Sequence, residues 1–212
     1  AAPAFYEPIL AYIESKRPSF EDDFSTENTL WGDVISKQRK EFSLQIPPGT
    51  EKIPSNKLLS SDDFVISFDY AMVNGEIFGF VFRSSPDESA YYKFVYSLGG
   101  DWWVENNNGT KTTYVQSGSF TPVAGSESGY DFDKGDQWSD IPLNNFVFIV
   151  QGENLAIFVN SDLVFEFNEL AQYGDANYLL NSKEVWLGKL DNFKFWNLSG
   201  VDFSASTGTT SI

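Results

Sequence analysis

From Phe64 the chain alternates apolar and polar residues. Phe64, Ile66, Phe68 and Tyr70 share one side of a two-residue period, the mark of a half-buried strand. Asn74-Gly75 follows, a strong hairpin signal, and then Ile77 to Arg83 with Phe78, Phe80 and Phe82 on one face. Further strands are predicted at Tyr91 to Tyr96, Asp101 to Glu105 and Thr112 to Gln116, separated by turns at Ser84 to Ser89, Gly99-Gly100 and Asn108-Gly109. Residues 117–140, rich in Gly, Ser and Asp, read as a long loop with room for one short strand. The pattern returns at Asn145 to Gln151, Leu155 to Asn160 and Leu163 to Phe167, and closes at Val185 to Leu187 and Asn192 to Trp196. Phe146 to Val150 is apolar on both faces, which predicts a central strand covered on both sides.

Residues 4–17 break this rhythm. Phe5, Ile9, Tyr12 and Ile13 stand close to helical spacing, Pro8 fits only a first turn, and Pro18 ends the segment. A short amphipathic helix packed on the main domain is expected, with an anchor to a partner as the alternative. About ten short strands without interleaved helices predict a sandwich or barrel. The expected organisation is a helical lead-in over 1–18, a β-sandwich over 19–203 and a flexible polar tail over 204–212.

Composition narrows the function. Aromatics make up 17% of the chain, which suits pleated, half-buried surfaces. The net charge of −16 disfavours nucleic acid and anionic membranes. Cys and His are both absent, which removes disulfides, thiolate chemistry, the commonest general base and the commonest zinc ligand. No apolar run is long enough to span a bilayer. The Ala1-Ala2-Pro3 start fits signal-peptide removal and fits a trimmed chain equally well.

Four motifs, in order, carry a resemblance. They are Asp22-Asp23-Phe24-Ser25 with Trp31; Gly79 to Arg83 with Tyr91 to Phe94; Asn145 to Val150 with Leu155 to Asn160 and Leu163-Val164; and Val185 to Gly188 with Leu190 to Trp196. Together they resemble the concanavalin A-like lectin/glucanase superfamily, in its LamG-like and keto-disaccharide hydrolase-like form found in bacterial surface proteins. The resemblance implies an all-β, two-sheet antiparallel jelly-roll sandwich whose first and last strands pair. It implies no single function, because catalytic, sugar-binding and adhesive members share the fold.

The glucanase Glu-x-Asp-x-x-Glu strand is missing, and its nearest spacing, Glu166 and Glu169, lacks the middle Asp. An enzyme is therefore not expected. For Ca²⁺, Asp131, Asp133 and Asp136 alternate in a Gly-containing loop but fail the EF-hand spacing, and Asp22, Asp23 and Asp191 could meet where the chain ends meet. For a sugar, Trp102, Trp103, Trp138, Tyr91 and Tyr130 offer stacking faces and Arg83 a polar contact. Adjacent Trp102 and Trp103 must point to opposite faces, one into the core. Lys37 to Lys40 reads as a solvated turn. Asn108 and Asn197 begin glycosylation-type triplets, with Asn108 also a natural turn residue. The expected activity is non-catalytic binding of a glycan or cell-wall polysaccharide by an exported or surface protein. The alternatives are a subunit contacting neighbouring surface proteins and a divergent hydrolase.

Overall fold

The computed structural model describes residues 4–26, 39–40, 43–46, 52–53, 59–74, 77–126, 135, 137–181 and 187–203. Two antiparallel sheets face each other. The first runs β12 (Asp162–Phe167), β11 (Asn154–Val159), β10 (Asn144–Gln151), β5 (Phe64–Asn74), β14 (Leu187–Asn197), β3 (Ser43–Ile46) and β2 (Arg39–Lys40), with β1 (Phe20–Asp22) also paired to β14. The second runs β4 (Lys52–Ile53), β13 (Ala176–Asn181), β6 (Ile77–Ser84), β7 (Ala90–Ser97), β8 (Asp101–Asn108) and β9 (Thr112–Ser119). The expected two-sheet antiparallel sandwich is present, and its first strand pairs with its last, Phe20 opposite Phe195.

Between the sheets lies an aromatic core. Phe68 of β5 stacks on Phe146, Phe148 and Phe193 at 5.5, 6.0 and 6.2 Å. Across the sandwich it meets Phe78 of β6 edge-on. Phe80 and Phe94 of the second sheet both reach Phe148. Such pairs add about 1 kcal/mol each beyond their burial.

The outer side of the first sheet is apolar as well. Val65, Ile149 and Ala156 point outward and are fully buried, because helix α1 (Glu7–Ser15) lies on them through Ile9. Tyr6 meets Phe158 edge-on, Tyr12 meets Phe203, and the Trp196 indole N–H donates to the carbonyl of Lys16 at 2.9 Å. This explains why Phe146 to Val150 is apolar on both faces. Pro8 sits in the first helical turn, where its missing N–H costs nothing.

Several elements differ from expectation. The two closing strands are one, Leu187–Asn197, whose register shifts between Asp191 and Lys194. Asn192 adopts φ +48° there, so an Asp-Asn pair that reads as a turn makes a bulge instead. Residues 185–186 lie outside the described residues. The opening strand ends at Asp22, whose carboxylate accepts the Phe24 N–H at 2.7 Å while Phe24 takes φ +56°. β9 continues to Ser119, and the expected long loop contains a short 3-10 turn at Trp138–Asp140. β13, β3 and β4 were not anticipated. Arg39–Lys40 form strand β2 rather than a solvated turn; residues 37–38, like the tail 204–212, lie outside the described residues.

Replacing Ile9 with Ala is expected to lower stability by about 3 kcal/mol, as for other fully buried aliphatic truncations. Urea unfolding checks it; a change under 0.5 kcal/mol, roughly that of an ordinary surface substitution, would mean that the helix does not hold the sheet.

Candidate functional site

The residues expected to touch a ligand divide between the interior and the second sheet's outer face. Arg83 belongs to the interior, with 1% of its surface exposed. Its guanidinium donates to the carbonyls of Asp62 and Gly152 and meets the Asp63 carboxylate at 3.4 Å. It thus ties β6 to the start of β5 and to the β10–β11 turn. Burial lowers its pKa, and Asp63 and Asp62 oppose that. A cation spent on these partners cannot floor a sugar groove, so the expected ligand role of Arg83 is replaced by a structural one. Beside it, buried Asn177 accepts the Arg83 N–H at 3.0 Å and donates to the carbonyls of Leu59 and Ser61.

Trp102 is likewise interior, 3% exposed, stacked on Phe94 and packed beneath Gly118. A Cβ at Gly118 would come within 2.6 Å of the indole, so glycine is required there. Its neighbour Trp103 points the other way, as alternation demands. Half-buried, its indole N–H donates to Glu105 at 2.8 Å. The other oxygen of Glu105 meets Lys93 at 2.7 Å, and the two side chains are only 13% and 19% exposed.

Strand register extends this chain into a surface. Val81, Lys93, Glu105 and Tyr114 stand opposite one another on β6 to β9, with Tyr178 of β13 beside Val81. Val95, Trp103 and Ser117 form the next row; Tyr91, Asn107 and Thr112 flank on the other side. From Tyr178 to Tyr114 the row crosses five strands, about 19 Å at normal strand spacing. Tyr91 is half-buried and Tyr114 is 76% exposed. Burial pushes the Tyr178 phenol up to about 12, with Glu88 adding to the shift, so it stays a hydrogen-bond donor at neutral pH. Trp103 and Tyr91 were expected here. Lys93, Glu105, Asn107, Tyr114 and Tyr178 were not, although a two-residue step from Trp103 reaches Glu105 and Asn107. Trp138 stands in the 3-10 turn, away from these strands in sequence. Tyr130 lies outside the described residues.

The acidic residues sit elsewhere. A polar cavity of about 370 Å³ opens where β1 and the turn after it meet the β14 bulge, lined by Glu21, Asp22, Asp23, Thr26, Asn192, Phe193 and Lys194. Asp22 and Asp23 each accept backbone N–H groups of the turn that follows, and Asp191 accepts the Asn192 N–H at 2.7 Å. Among the described residues no three His, Cys, Asp or Glu side chains are placed to hold a metal ion. Asp131, Asp133 and Asp136 lie outside the described residues. Asn108 is a turn residue, its amide oxygen accepting the N–H groups of Thr110 and Lys111.

No protein-family model matches the sequence, and no curated protein matches it. Solved structures do match in fold. A Bacillus subtilis protein of unknown function with a galectin-like fold superposes with a TM-score of 0.57 at 9% identity, covering 86% of this chain and 96% of that one. The GH43 BlXynB protein of Bacillus licheniformis gives 0.52 at 10% identity, over 84% of this chain but 39% of that longer one. The carbohydrate binding module CBM66 from Bacillus subtilis gives 0.49 at 14% identity, over 73% and 82%. The fold is a concanavalin A-like jelly roll. Among the described residues, no helix of this jelly roll is long and apolar enough to cross a membrane.

Burial raises the Asp191 carboxyl, and nearby Asp69 and Asp23 add to this, against the Asn192 hydrogen bond and Lys189. A carboxyl raised on folding destabilises the ionised fold above that raised pKa, and the penalty vanishes below the unfolded value of about 4. Asp191→Asn, which keeps the acceptor for Asn192, is expected to raise the urea midpoint at pH 7 and to leave it unchanged below about pH 4. Equal midpoints at pH 7 would contradict the assignment.

Proposed function

We propose that this jelly roll is a non-catalytic carbohydrate-binding module of an exported or surface protein, in the LamG-like branch that its motifs resemble. The observation that carries the reading is the outer face of the second sheet. There Trp103 is half-buried and fixed by its indole N–H to Glu105, which is fixed in turn by Lys93. A sugar ring offers an apolar face and a rim of hydroxyls. Stacking on a held aromatic uses the first, and carboxylate, ammonium and amide groups meet the second. Tyr91, Tyr114 and Asn107 extend both kinds of contact along the sheet. Preorganisation supports the reading, because Glu105, itself held by Lys93, already restrains the Trp103 ring, so less freedom is lost on binding.

On the other sheet α1 covers Val65, Ile149 and Ala156, which takes that part of its outer face out of reach of a ligand. The same packing weighs against a surface-subunit role built on α1 as a contact, since its apolar side is already used within the chain. A hydrolase would need an acid–base pair of carboxylates on the binding face. On β6 to β9 and β13 the acidic residues are Asp101 and Glu105 alone, and Glu105 is held by Lys93 and Trp103.

A glycan-array screen of the purified protein, with and without calcium, tests the reading. Selective binding is expected, and Trp103→Ala is expected to weaken it by at least about tenfold, the loss of 1.4 kcal/mol or more of contact. Binding unchanged by Trp103→Ala would move the site elsewhere, and a blank array under both conditions would sink the reading.

A further inference from the structure

The charge inventory of the same face says which sugars it can take. Strands β6 to β9 and β13 contain two basic residues, Arg83 and Lys93. Arg83 is buried on main-chain carbonyls and Asp63. Lys93 is held by Glu105 at 2.7 Å, with neither side chain more than 19% exposed. Lys111 lies in the exposed β8–β9 turn, at the same end of the sheet as Asp87 and Glu88, since Ala90 stands opposite Asn108. Hydrogen bonds from Ser85 and Ser89 hold the Asp87 carboxyl down to about 2, so it is ionised throughout the neutral range. Lys52 stands four strands from Trp103, about 19 Å away at normal strand spacing. Asp101 adds a further exposed carboxylate at the opposite end of β8.

A uronic or sialic acid carboxylate is best matched by a cation in place of the water around it; without one, desolvating that charge opposes binding. Among the described residues around Trp103, Lys93 and Lys111 stand against four carboxylates, and the central lysine is already paired. The whole chain, at −16, repels a polyanion besides. We infer that the Trp103 face takes an uncharged glycan and discriminates against acidic ones. This rests on the carbohydrate-binding reading and narrows its ligand class. Glu105 is then a specificity residue: it orients the indole for stacking and cancels the ammonium that an acidic sugar would otherwise use.

Affinity gel electrophoresis of the full chain tests the inference with galactomannan, xylan, laminarin and levan as neutral probes and alginate and polygalacturonate as acidic ones. Retardation is expected on at least one neutral polysaccharide, unchanged as NaCl rises from about 20 to 500 mM, where charge–charge attraction would be screened. No retardation is expected on the acidic pair. Retardation by alginate or polygalacturonate that fades with salt would overturn the inference while leaving the Trp103 site standing, provided that Trp103→Ala abolishes it. No retardation on any probe would overturn the carbohydrate-binding reading and the inference with it. Glu105→Gln, checked for an unchanged urea midpoint, frees Lys93 and is expected to gain at least about tenfold in alginate affinity at low salt. A folded Glu105→Gln that still ignores alginate would show that Glu105 is not the selecting group.

Discussion

The stack of Phe68 on Phe146, Phe148 and Phe193 holds three neighbouring strands in one register, and Phe78 faces it from the other sheet. A slip of one residue would turn every one of those rings to the opposite face. The second sheet is pinned in the same way by Phe80, Phe94 and Trp102, which point inward. Their neighbours in sequence have no freedom left. Once Trp102 and Val104 are core, Trp103 and Glu105 must lie on the outer surface, and once Phe94 is core, Lys93 must too. The surface proposed to bind sugar is thus the reverse side of the packing that makes the protein fold.

Polar residues close the ends of this aromatic interior. Arg83 takes the carbonyls of Asp62 and Gly152, and Asn177 those of buried Leu59 and Ser61, which no strand ladder satisfies. Farther along the sandwich Asn144, 1% exposed, accepts the Val123 N–H at 2.8 Å and bonds the side chains of Ser126 and Asn160. Loops that cannot join a ladder are held by side-chain amides and one guanidinium instead. The cost of burying such groups is offset by the several hydrogen bonds each of them makes.

The architecture was largely legible in the sequence because alternation and turn chemistry are local signals. Phe64 to Tyr70, Ile77 to Arg83 and Tyr91 to Tyr96 all declare their faces, and the double-sided apolar run at Phe146 to Val150 marked a strand covered on both sides, though not that α1 is the cover. β13 escaped notice because its apolar residues Tyr178, Leu179 and Leu180 are consecutive, so Ala176–Asn181 does not alternate. The Asp191-Asn192 bulge escaped because the same two residues suit a turn. The candidate site was half legible. Opposite facing of Trp102 and Trp103 follows from the pleat, but which of them is core depends on Phe94, Phe165 and Gly118, brought together by tertiary packing alone. Arg83 misled for the opposite reason. A lone arginine near strand aromatics suggests an anion or hydroxyl contact, and nothing local reveals that Asp62 and Gly152 fold back onto it.

The contact of Tyr12 with Phe203 has an implication for display. With β1 lying beside β14, it gathers both ends of the described chain at the sheet that α1 covers. The Trp103 surface is on the far side of a sandwich about 10 Å thick between its sheets. Anything tethered through either end would therefore stand behind the module, like a handle behind a stamp, with the inked side turned away from the hand.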